Sequence, residues 1–367
     1  MMSVIDRYRR ETEIDFSRNE LTGALGDSVT VLPVVVAVAA LTDLSLARLL
    51  LGFAAFQVVW GLYYGLPISV EPMKALAALV IAGALGPAEL AVAGLLAGLA
   101  LLTIGTSGTL ARVERYVGQP VIRGVQLAVG LVLLETGVQL SLDGVWYALL
   151  AVAVVGVSVA AGQRRASTLA VLGVGFVIGV AQAGMPEPHL PTATLALPDP
   201  IGLSSDSLGA TVAQLAMTVG NAAVATSLLL SDYYDADVSP DDLAASMGVM
   251  NLLAVPLGAM PMCHGSGGVA GKYAFGARTA GANLILGAFY AFAAIVAVGA
   301  VAAFPLAMLG VVLAVIAVEL GRAGLESESL PLTVGVGVLG VVTNVGVAFV
   351  VGIAAYLFRE RVGGAVA

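Results

Sequence analysis

Apolar runs of membrane-spanning length follow one another from Leu21 to Phe358, separated by short polar or glycine-rich turns. A helix crossing the hydrocarbon core needs about 20 apolar residues, and fewer when it is broken or half-length. On that measure the pattern predicts fourteen segments, near 21–42, 47–65, 66–84, 87–105, 119–140, 143–161, 168–183, 208–230, 242–259, 260–277, 280–302, 305–321, 329–343 and 344–358. Leu110 to Val117 mixes charged and apolar residues at helical spacing and predicts a short amphipathic helix at the interface before the fifth segment. The fold class is therefore an all-α polytopic membrane protein.

Two segments break this pattern. The third opens Leu66-Pro67-Ile68-Ser69-Val70-Glu71-Pro72-Met73-Lys74, with two prolines, an acid and a base at membrane depth. The tenth opens Met260-Pro261-Met262-Cys263-His264-Gly265-Ser266-Gly267-Gly268. Non-helical backbone persists in a membrane only where protein or a water-filled cavity surrounds it. Corresponding interruptions in two halves of a chain point to a transport site. We expect an extended piece over Leu66 to Val70 and a half-helix from near Glu71, with Pro72 at its first position, where no amide hydrogen is needed. The second break predicts an extended Met260 to Cys263 and a half-helix from near His264 or Gly265.

The halves read as repeats. Gly26-Asp27 in the first segment matches Gly220-Asn221 in the eighth, and Pro67 matches Pro261; Asp27 to Pro67 and Asn221 to Pro261 both span 40 positions. Seven segments per half reverse the orientation, so the repeat is inverted. The resulting division is a cytoplasmic tail over 1–19, a first repeat over 20–183, an external linker over 184–207, a second repeat over 208–358 and a cytoplasmic tail over 359–367. The linker holds five prolines and no Lys or Arg.

Composition agrees with this class. The chain of 367 residues is 59% hydrophobic and 11% charged, with mean hydropathy +1.00, against about 25% charged in a soluble domain. With both termini cytoplasmic, Arg112, Arg115, Arg123, Arg164, Arg165, Lys272, Arg278, Arg322, Arg359 and Arg361 all fall at cytoplasmic turns or tails. Only Arg48 lies outside, and Lys74 alone lies within the membrane. This asymmetry obeys the positive-inside rule for a cell-membrane protein. Met1 to Glu20 lacks the apolar core of a signal peptide. One cysteine and two histidines, His189 and His264, exclude a cysteine metal cluster and a zinc site between the histidines. The net charge of −8 argues against nucleic acid as a partner. No Walker loop, dinucleotide fingerprint or triad spacing marks an enzyme.

The breaks carry the chemistry. Two half-helix N-termini facing one another each present free amide hydrogens and about half a positive charge, which suits an oxyanion. With ionised Lys74 the total is about +2, a match for a tetrahedral dianion. An ionised Glu71 lowers it to about +1, so Glu71 or Asp27 is the candidate to take up a proton as the anion binds. The candidate substrate-binding residues are Ser69, Met73, Lys74, Asn221, His264, Gly265, Ser266 and Gly267. Plainer readings stand beside these: Lys74 and Glu71, three apart, can pair with each other. Asn221 can bond between helices, His264 can cap backbone, and the methionines can serve as packing.

Three stretches resemble the molybdate transporter family, a branch related to the sulfate permeases. They are Glu20 to Asp27 running on to Leu32-Pro33, then Leu66 to Ala75, and then Met250-Asn251-Leu252 with Gly258 to Gly268 and Phe275-Gly276-Ala277-Arg278. The resemblance implies the fold shared with uracil permeases, with segments one to four and eight to eleven as a core and the rest as a gate. It implies a site between segments three and ten, and a homodimer through the gate. Glutamine is the residue expected of the family where this chain has Glu71. The function expected is secondary active transport of molybdate by alternating access, with protons as partner on the charge balance at Glu71 and Asp27. Sulfate, a nucleobase–proton symporter of the same fold, and an anion channel are the alternatives.

Overall fold

The computed structural model describes residues 14–184, 187–188, 202–297, 301 and 303–364. The expected linker over 184–207, with His189, falls largely outside them. The protein is mostly helical. The first half runs through α1 (Arg18–Leu41), α2 (Leu46–Tyr64), β1 (Glu71–Pro72), α3 (Lys74–Ile81), α4 (Pro87–Ser107), α5 (Leu110–Val117), α6 (Gln119–Leu142), α7 (Val145–Ala160) and α8 (Ser167–Ala183). The second runs through α9 (Ser205–Tyr234), α10 (Pro240–Ala254), β2 (Met262–Cys263), α11 (Ser266–Ala274), α12 (Gly281–Val296), α13 (Leu306–Leu325), α14 (Leu330–Val342) and α15 (Val345–Gly364). Among the described residues, seven helices are long and apolar enough to cross a membrane.

Helices α3 and α11 are different. With 8 and 9 residues, they rise about 12–14 Å, less than half of a hydrocarbon core about 30 Å thick. Each follows an extended break, and the two breaks pair. β1 and β2 form an antiparallel ladder with Glu71 opposite Cys263 and Pro72 opposite Met262. The Met73 amide extends it by donating to the Pro261 carbonyl at 2.9 Å. The ladder corrects the expected start of the first half-helix. Pro72 sits in the strand, Met73 caps α3, and Lys74 is its first residue. The cross-strand bond to Pro261 holds the backbone extended three residues longer than local preference suggests.

The other edges of the strands are closed by side chains. The Asn251 carboxamide donates to the Met262 carbonyl and accepts from the Met262 amide, both at 2.7 Å. The Gln57 amide donates to the Val70 carbonyl at 3.2 Å. In a medium without water these are the partners the exposed backbone needs.

Around the ladder, α1 packs on α11, α2 on α12, and α4 on α10 and α9. Separately, α6 packs on α13, α14 and α15, while α7 and α8 pack on each other and on α13. The two groups meet where α9 crosses α15 and touches α6, where α3 touches α6, and where α1 touches α8 and α13. Helix α9 carries a π-helical turn over Thr218–Val224, a widening that is frequent at functional sites.

Candidate functional site

The short helices begin on either side of the ladder, and a side-chain oxygen occupies the start of each. At α11 it is Glu71, whose Oε1 accepts from the Gly268 amide at 2.6 Å. At α3 it is Gln214 from α9, whose Oε1 accepts from the Ala75 and Leu76 amides at 2.9 and 3.4 Å. Glu71 also meets Lys74 Nζ at 2.7 Å. The pairing of Lys74 with Glu71 is thus formed, though across the strand–helix junction and not along one helix face. Lys74 is the one member of the pair with access, its side chain 25% exposed against 1% for Glu71.

Two glycines make this arrangement possible. A Cβ on Gly265 would overlap the Glu71 carboxyl, and one on Gly268 would overlap the Asp27 carboxylate and the Ser69 hydroxyl. Beside them lies a small cavity lined by Glu71, Lys74, Gln214, Met217, Ala222, Cys263, His264, Gly265 and Ser266. Its free volume of about 20 Å³ is close to what one water molecule requires.

A second polar cluster lies behind the first and is sealed from solvent. Asp27 accepts from the Ser69 hydroxyl at 2.5 Å and from the Gln57 amide at 2.8 Å, and it pairs with Lys272 at 3.1 Å. Lys272 in turn donates to the Ile68 carbonyl at 2.7 Å, Asn283 Oδ1 at 2.8 Å and Gln57 Oε1 at 3.0 Å. Lys272 is therefore no residue of a cytoplasmic turn. It is fully buried, because α11 starts at Ser266 and residue 272 falls on its second turn, facing α1 and α2.

The remaining candidates divide between these clusters. His264 Nδ1 lies 3.0 Å from the Ser69 carbonyl, and Nε2 lies 2.8 Å from Ser246 Oγ. A carbonyl only accepts, so Nδ1 carries a hydrogen, while Nε2 is engaged by the Ser246 hydroxyl. Trp60 and Tyr64 meet the ring edge-on. Both nitrogens are thus committed to protein, and the ring borders the cavity without a free donor. Ser69 is spent on Asp27, and Met73 is wholly buried. Ser266 lines the cavity, and Gly267 is exposed on the first turn of α11. Asn221 lies in the π turn of α9; its side chain is not among the described parts.

Sequence reasoning missed Gln214, Lys272, Gln57 and Asn283. A signal existed for three of them, since Gln57, Gln214 and Asn283 are lone carboxamides in apolar runs. Such groups find partners across helices when buried in a membrane.

A profile of the family described as "Molybdate transporter of MFS superfamily" matches residues 19–133 and 206–320. The chain is similar to Molybdate transporter 2 of Arabidopsis thaliana, 28% identical over 369 residues covering 85% of this chain and 80% of that one. It is also similar to Molybdate transporter 1 of Chlamydomonas reinhardtii, 26% identical over 490 residues covering 98% and 94%. In fold it resembles the transmembrane domain of a cyanobacterium bicarbonate transporter, with TM-score 0.65, 17% identity and coverage of 93% and 97%. It likewise resembles the murine Solute Carrier 26 family member A9 anion transporter in the inward-facing state, with TM-score 0.70, 15% identity and coverage of 98% and 70%.

Proposed function

The chain belongs to the molybdate transporter family, and we propose that it is a secondary active transporter of a tetrahedral oxyanion, molybdate first, working by alternating access. The observation that carries this reading is the seat of the Glu71 carboxylate, between the Gly268 amide and the Lys74 ammonium. Groups that hold a carboxylate at a helix start also suit a free oxyanion. Lys74, the Ser266 hydroxyl and the first amides of α11 are the binding groups in this reading. Asp27 or Glu71 takes up the proton that travels with the anion.

The larger frame follows the same lines. Two stretches of the family profile, one in each half, and the shared 40-position spacing support an inverted repeat. The two groups of helices support a core of α1–α4 with α9–α12, and a gate of α6–α8 with α13–α15. Both termini are cytoplasmic, and a homodimer forms through the gate.

Uptake of labelled molybdate into proteoliposomes, with and without an inward proton gradient and with excess sulfate, tests this. The expected result is saturable uptake that rises with the gradient and resists sulfate. Uptake abolished by excess sulfate means that sulfate shares the site, as two dianions of like charge and shape can, and uptake of labelled sulfate then decides between them. Uptake indifferent to the gradient removes proton coupling, and current without coupling makes the protein a channel.

A further inference from the structure

We propose that Glu71 is a tethered competitor of the substrate: its carboxylate fills the anion's own place at the start of α11, and the anion binds by displacing it. The inference rests on the oxyanion-transport reading and deepens it.

Three observations converge. First, the Glu71 carboxylate takes the partners that an oxyanion at this helix start requires, the Gly268 amide at 2.6 Å and the Lys74 ammonium at 2.7 Å. Second, the place is shaped for a carboxylate, because a Cβ at either Gly265 or Gly268 would overlap it. Third, the adjoining cavity of about 20 Å³ holds about one water. A tetrahedral oxyanion has four oxygens, each about as large as that water. It therefore cannot share the α11 start with Glu71 in this conformation. The start of α3 is filled in the same way by Gln214, but a neutral amide oxygen is the weaker occupant.

The consequence is both energetic and kinetic. With the anion absent, Lys74 still has a counter-charge, so the empty carrier presents no unpaired ammonium to the membrane interior. With the anion arriving, the seated population of Glu71 acts as a tax on affinity. A seat occupied nine times in ten lowers the apparent affinity about tenfold.

The test is direct binding of labelled molybdate to the full chain in lipid nanodiscs, comparing the wild type, Glu71→Gln and Glu71→Ala, with sodium formate as competitor. Both variants are expected to bind molybdate about tenfold more tightly. In Glu71→Ala, formate should compete with molybdate at concentrations that leave the wild type unaffected, because formate returns a carboxylate to the vacated seat. Glu71→Ser serves the same purpose should the alanine variant not fold. Tighter binding without formate competition reduces the effect to a change of charge and overturns the proposal. Wild-type binding with equal or weaker binding by the variants also overturns it and leaves the transport reading standing. Absence of binding in all three proteins, with labelled sulfate then used in place of molybdate and also failing to bind, removes both.

Discussion

The Lys272 ammonium has three hydrogens and four oxygens within reach, from Asp27, Gln57, Ile68 and Asn283. It is the positive half of an ion pair sealed from solvent, and its removal strands Asp27. Breaking a buried pair by deleting one partner costs about 3–5 kcal/mol. Lys272→Met is therefore expected to lower the thermal unfolding temperature sharply in detergent, and Asp27→Asn added to it should recover much of the loss. If Lys272→Met unfolds like the wild type, the pair does not hold α11 to α1. Residues of this kind mark the limit of a sequence reading. Asp27, Glu71 and Lys74 stand out because a charge inside an apolar run has few explanations. Lys272 lies 5 positions before the expected end of its segment at 277, where a positive charge is read as a cytoplasmic anchor. Only the late start of α11 puts it two turns deep and buried. For His264 the plainer reading, a bond to backbone, matches its contact with the Ser69 carbonyl, but neither that partner nor Ser246 was legible, because both come from other segments.

At the scale of elements, the breaks were legible and their pairing was not. Prolines and glycines announce that segments three and ten cannot be continuous helices. Nothing local announces that Glu71 faces Cys263, since a two-residue ladder between distant strands leaves no periodicity. The same holds for Asn251, which reads as one polar residue in an apolar helix yet closes both backbone groups of Met262. Asn251→Leu keeps the volume and removes both bonds. Each buried group left unsatisfied costs about 1–3 kcal/mol, so the expected loss is about 2–6 kcal/mol. Denaturant or thermal unfolding of the purified variant measures it, and molybdate uptake should fall with it because Met262 precedes the helix that carries the site. A variant of unchanged stability would mean that the β2 backbone finds other partners.

Across the whole molecule, hydropathy reports a membrane protein of many apolar helices and says little of which helices pack together. The division into two groups of helices depends on small residues where backbones touch, and these are spread among the 45 glycines of the chain. One such contact joins the groups: a Cβ on Gly346 of α15 would overlap the backbone of Gly209 on α9. The neighbour is main chain and cannot rotate away, so even a methyl group forces the helices apart. Overpacking of this kind costs about 1–3 kcal/mol. If the two groups move against each other during transport, that strain falls on the conformer described here and not on the folding of either group. A bias of about 1–3 kcal/mol shifts a two-state equilibrium about 5–150-fold. Gly346→Ala is thus expected to depress molybdate uptake by a factor in that range while the unfolding temperature changes little. Gly335→Ala on the neighbouring α14, where an added Cβ meets no atom within 4 Å, is the control and should transport as the wild type does. Equal uptake by both variants would mean that α9 and α15 do not separate in the cycle, and the boundary between moving parts would then have to lie elsewhere, with the contact of α3 and α6 as the next place to probe.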